Sequence, residues 1–144
     1  MIVLDTNILL YAYDATSPHH DAAQEWLDSV FSGRELIGLP WQVVWGFLRL
    51  STSSRIFFNT LSMEKAVEIV QQWMDQKQVR LLAPGERHWR LLRQILAEGK
   101  VKASLTTDAE LAALTIEHGG VLYTSDRDFA RFPGLRWVNP LTAK

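Results

Sequence analysis

Apolar positions along the chain group into two kinds of segment. Short apolar runs occur at Ile2 to Leu4, Leu36 to Leu39, Val79 to Leu82 and Val121 to Tyr123, each bounded by polar or turn residues. Runs of this length with little alternation suit strands buried on both faces of a parallel sheet. Arg136 to Val138 is expected as a short fifth strand. Between these runs, apolar residues recur at three- and four-residue intervals, the helical period. This predicts helices over Ile8 to Tyr13, with Thr6 and Asn7 as caps, and from Pro18, capped by Ser17, to about Phe31. A third runs from Trp41 to Ser51, opened by Pro40, with Val44, Phe47 and Leu48 facing inward. A fourth, capped at Ser62, reaches Met74. A fifth covers Arg87 to Ala97, with Trp89, Leu92 and Leu96 on one side. The last runs from Thr107 to His118 and is stopped by Gly119 and Gly120. Ser51 to Thr60 reads as a polar connection interrupted by Ile56, Phe57 and Phe58. Strand and helix alternating in this way predict a three-layer α/β/α sandwich with a mainly parallel central sheet, one domain over residues 1–144.

Composition narrows the chemistry more than it alters this outline. The 144 residues include no cysteine, which removes disulfides, thiolate–zinc sites and thiol nucleophiles. The first strand begins almost at once, without a basic and apolar leader, and no run approaches the roughly 18 apolar residues of a membrane span. A cytoplasmic protein with no membrane contact is therefore expected. A formal net charge of −1 gives no overall attraction to nucleic acid. The six tryptophans fit core or interface positions better than base-stacking ones. His19 and His20 are adjacent, so their side chains leave a helix on different sides, and they read as solvated rather than chelating.

Acids recur where strands end and a helix begins. Asp5 follows the first run, Asp126 and Asp128 follow the fourth, and Asp108 stands at the start of the last helix. Each alone is equally a helix cap, since short carboxylates accept from free N–H groups. Together in one crevice, beyond the carboxyl ends of parallel strands, they would repel one another unless a cation neutralised them. Oxygen ligands without Cys or a spaced His pair select Mg²⁺ or Mn²⁺ over zinc, and such a centre suits phosphodiester hydrolysis.

With these positions in hand the chain resembles the PIN-domain nucleases. Asp5, Thr6 and Asn7, then Asp108 and Ala109, then Thr124 to Phe129 are similar to the motifs of that family. Asp128 to Trp137, together with Pro40, Trp41 and Trp45 to Phe57, is similar to the VapC-type toxins of bacterial toxin–antitoxin pairs. The resemblance spans essentially the whole chain. It implies a Mg²⁺- or Mn²⁺-dependent endoribonuclease held inactive by a cognate VapB-type antitoxin. Asp5, Asp108 and Asp126 would be the catalytic metal ligands, and Asp128 a further ligand or an acid behind them. Asn7 and Thr124 would orient carboxylates or water. The family's usual glutamate, three residues before an arginine, is here Gly46, three before Arg49. That departure opens a second reading, a catalytically weakened PIN-like domain that binds RNA or antitoxin.

Arg49, Arg55, Lys100, Lys102, Arg127 and Arg131 lie near the expected mouth. Arg49 and Arg127 are the candidate RNA contacts, although each also reads as solvated surface. A phosphatase of the haloacid dehalogenase type would need a second Asp where Asn7 stands. A receiver domain would need an amino-terminal acid pair and a late lysine, both missing. Trp41, Trp45, Phe57 and Phe58 exceed what one segment needs for its own core. An exposed patch joining two copies in a homodimer, or receiving an antitoxin helix, is therefore expected.

Overall fold

A computed structural model describes residues 1–55 and 59–142. Its elements run β1 (Ile2–Leu4), α1 (Thr6–Tyr13), α2 (His20–Phe31), β2 (Ile37–Pro40), α3 (Trp41–Ser51), α4 (Met63–Met74), β3 (Val79–Leu82), α5 (His88–Glu98), α6 (Thr106–Glu117), β4 (Val121–Tyr123) and β5 (Trp137–Val138). All strand pairs are parallel, in the spatial order β3-β2-β1-β4-β5. β1 is central and wholly buried, as is β2. The edge strand β3 exposes Arg80 and Leu81.

Right-handed crossovers decide where the helices go. The chain steps from β1 to β2 to β3 in one direction, so α1 to α4 cover one face of the sheet. It then returns past β1 to β4, which puts α5 and α6 on the opposite face. The direction of winding reverses between β1 and β4, and beyond the carboxyl ends of those two strands the flanking loops diverge into a crevice. Phe47 on α3 and Leu111 on α6 fill the two apolar layers beside the sheet; Phe47 is fully buried. Truncation of such a phenylalanine to alanine typically costs about 3–5 kcal/mol.

Several boundaries differ from the sequence pattern. α1 starts at Thr6, not Ile8, and its cap is Asp5, whose carboxylate accepts from the Thr6 N–H at 2.7 Å. Asp5 alone separates strand from helix, so the nearest free N–H, that of Thr6, lies beside it. α2 begins at His20 rather than Pro18. The Ser17 hydroxyl accepts from the His19 N–H at 3.1 Å, closing a local turn before the helix instead of capping it. Ser62 does cap α4, accepting from the Lys65 N–H at 3.0 Å.

On α5 the inward stripe is shifted by one residue. His88 and Ile95 are buried, while Trp89 is 64% exposed. α6 ends as expected: Gly119 takes φ 68° and the Gly120 N–H reaches back to the Thr115 carbonyl at 3.0 Å. A side chain at Gly120 would meet Val3 Cγ2 at 2.6 Å, so β1 passes there because the position is glycine. The cluster at Ile56, Phe57 and Phe58 lies outside the described residues.

Candidate active site

β1 and β4 are paired in register, Leu4 beside Tyr123, so the residues that follow them, Asp5 and Thr124, come out side by side. Thr124 is fully buried, and its hydroxyl is used to capacity. It donates to Asp5 Oδ2 at 2.6 Å and accepts from the Asp126 N–H at 3.0 Å and from Asn7 Nδ2 at 3.3 Å. One donor and two lone pairs are all a hydroxyl has. Asn7 returns its own oxygen to the Ser125 N–H at 3.5 Å. This knot ties the loop after β4 to the start of α1. It fixes the direction of Asp5 and places Asp126, whose Oδ1 accepts from the Asp128 N–H at 2.9 Å.

α6 runs against the strands, so its first turn arrives at the same edge and brings Asp108. Asp5, Asp108 and Asp126 line one cleft of about 430 Å³ with Asn7, Gly46 and Arg49. Asp108 is half-buried, and its carboxylate has no hydrogen bond or ion pair among the described residues. Its pKa is pushed up to about 6, by burial first and then by the negative charges of Asp126, Asp5 and Asp128, against a smaller opposing effect of Arg131. Asp5 is also raised, mainly by burial and in part by Asp126, although its bonds to Thr124 and Thr6 pull the other way.

The expected site residues thus fall into two groups. Asp5, Asn7, Asp108, Asp126 and Arg49 share the cleft, with Thr124 behind it. Asp128 and Arg127 are exposed on the 3-10 turn Arg127–Arg131 and do not line it, though the charge of Asp128 reaches Asp108. Arg131 is the cation whose field also reaches Asp108. Gly46 does face the cleft: a Cβ there would lie 3.1 Å from Thr6 Oγ1. Among the described residues no three acid or histidine side chains already close on a point as a ligand shell. The chemistry of the donors nevertheless fits a hard divalent cation. The set consists of carboxylate oxygens only, one of them without any partner and mutually repelled by the others.

One residue of this region was not singled out from the sequence: Gln42 lines the cleft one turn before Gly46, and Trp45, expected in the exposed apolar patch, also borders it. The spacing Gln42, Gly46, Arg49 is a helical face, so the signal was present once Gly46 was known to point inward.

The chain matches the PIN domain family over residues 2–135. Ribonuclease VapC33 of Mycobacterium tuberculosis is 39% identical over 141 residues, covering 98% of this chain and 99% of that protein. Ribonuclease VapC37 of the same species is 38% identical over 140 residues, covering 97% of each. Among solved structures, VapBC2 from Rickettsia felis, bound to a DNA fragment from its promoter, has a similar fold. The TM-score is 0.69 at 19% identity, over 96% of this chain and 98% of that one.

Proposed function

The chain belongs to the PIN-domain family as a VapC-type ribonuclease, and on that premise we propose that it is a Mg²⁺- or Mn²⁺-dependent endoribonuclease inhibited by a VapB-type antitoxin. The observation that carries the reading is Asp108: a partnerless, half-buried carboxylate raised to about 6 in a cleft it shares with Asp5 and Asp126. Those three acids would hold the ion. When bound, it supplies water with a lowered pKa and neutralises charge gathering on the phosphate oxygens. Attack of water at phosphorus with cleavage of the P–O3′ bond leaves a 5′-phosphate and a 3′-hydroxyl.

The protein's own part is orientation and charge. Thr124 and the Thr6 N–H each hold one of the two oxygens of Asp5. The Asp128 N–H holds one oxygen of Asp126. Arg49, exposed at the rim of the same cleft, suits a phosphate of the incoming strand. Similar relatives named as ribonucleases support the substrate class, and a neighbour solved as a VapBC complex supports the antitoxin. No helix among the described residues is long and apolar enough to cross a membrane.

A panel of end-labelled RNAs incubated with and without Mn²⁺ tests the reading. Cutting with Mn²⁺ that stops on chelation, with 5′-phosphate ends, is expected. Retention of labelled RNA without cutting under any metal would favour the binding-module reading that Gly46 opens.

A further inference from the structure

α3 brings no acid to the cleft, because Gly46 occupies the place that faces it. One turn earlier the same helix face carries Gln42, which lines the cleft as well. Its amide reaches across to the first turn of α6. Gln42 Nε2 donates to the Thr107 carbonyl at 3.3 Å and to Glu110 Oε2. Thr107 and Glu110 flank Asp108 in sequence.

Both of these partners can only accept hydrogen bonds, so the NH₂ end of the amide must face them. The orientation of Gln42 is therefore decided by chemistry, and its Oε1 is the end left over. That oxygen has no donor among the described residues. Glu110 is itself held from behind. Its Oε1 lies 3.5 Å from His88 Nε2, and His88, buried at the start of α5, has Nδ1 at 3.6 Å from Glu117 Oε1. Glu117 in turn accepts from the N–H groups of Gly85 and Arg87 at 2.9 and 3.0 Å. Burial alone would raise Glu117, yet these bonds and the nearby His88 and His118 hold its carboxyl below the usual range. Gln42, Glu110, His88 and Glu117 thus form a row of neighbouring side chains from the cleft to the start of α5.

We propose that Gln42 takes over from the absent α3 acid, its Oε1 serving the hydration shell of the cleft's divalent ion, with Glu110 as the positioning residue that turns the amide. This rests on the metal-dependent reading above. A carbonyl-type oxygen is an ordinary partner for such ions and their water, and it adds no further charge to a cleft that already crowds its acids. Glu110, two residues beyond Asp108, thereby acts on the site without entering it.

Mn²⁺ affinity, read from melting-temperature titrations and from the electron paramagnetic resonance of free Mn²⁺, tests this independently of activity. Gln42→Met and Glu110→Ala should each weaken Mn²⁺ by about tenfold, the lower range for residues that orient metal ligands. Glu110→Gln keeps an acceptor for the Gln42 NH₂ and should restore near wild-type affinity. A lowered metal-free melting temperature with unchanged Mn²⁺ affinity in Gln42→Met would reduce Gln42 to a brace for α6 and overturn the proposal. Glu110→Gln as weak as Glu110→Ala would overturn the amide's role in favour of the carboxylate's charge. Failure of the wild type itself to bind Mn²⁺ would overturn the metal-dependent reading together with this one.

Discussion

Asp108 has no partner of its own and three acids acting on it, so its charge is a burden on the metal-free fold. Its native pKa of about 6 lies above the ordinary 3.8, and the native state therefore holds its proton more tightly than the unfolded chain. The stability this gives is complete below about pH 4 and is lost as pH rises through about 6. Denaturant melts of the metal-free protein at pH 5 and pH 7 should show the loss, and Mn²⁺ should recover it at pH 7. Asp108→Asn should flatten the profile. Asp126→Asn removes one of the repelling charges while its side-chain oxygen can still accept from the Asp128 N–H. It should stabilise the metal-free protein by about 1 kcal/mol, a usual scale for single substitutions, and shrink the Mn²⁺-induced rise in melting temperature. The acids were legible in the sequence because strand ends and helix starts could be read from the apolar runs. Thr124 was legible only through family resemblance. Its role depends on a registry between β1 and β4, and pairing across 119 residues leaves no local pattern. Gln42 and His88 were missed for the same reason, since their partners lie on other elements.

At the scale of elements, α3 shows both how far periodicity reaches and where it stops. Its span, Trp41 to Ser51, and its inward Val44 and Phe47 follow from the pattern. That Gly46 faces the cleft does not, because a residue without a side chain carries no periodic signal. Gly46→Glu tests the position, with Gly46→Ala as control. Replacing an interior helix glycine favours folding by up to about 1 kcal/mol through backbone entropy. A Cβ only 3.1 Å from Thr6 Oγ1 offsets part of this. Against the alanine control, the glutamate variant should be less stable without metal and bind Mn²⁺ more tightly in melting titrations. Equal Mn²⁺ response in the two would mean that the side chain does not reach the ion. α5 illustrates an ambiguity: stripes through Trp89 or through His88 fit the same period. Packing against α6, which offers Glu110 and Glu117 to His88, selects the second.

For the whole molecule, the alternation of strands and helices predicted the parallel sheet and its layers, and the order β3-β2-β1-β4-β5 follows from winding rules only once pairing is known. The exposed apolar patch expected from the sequence is present in its described part. Trp45 is 64% exposed and packs beside Trp41 at 6.4 Å between ring centres. Together they form a ridge between two hollows, one lined by Leu82, Pro84 and Leu114, the other by Val67, Val70 and Met74. Phe57 and Phe58 fall outside the described residues. If a second copy of the chain covers this ridge, sedimentation at micromolar concentration should give a dimer that Trp45→Lys disperses. A wild-type monomer whose mass is also unchanged by a VapB-type helix would count against that surface. If Asp5, Asp108 and Asp126 act together on one ion to cut RNA, the loss of any one of them abolishes cutting. Single-turnover cleavage of one labelled RNA by the wild type, Asp5→Ala and Asp108→Ala, each across a Mn²⁺ series, measures it most directly. The expected result is cutting by the wild type that rises with Mn²⁺ and is lost in both variants at every concentration. Undiminished cutting by either variant would contradict it.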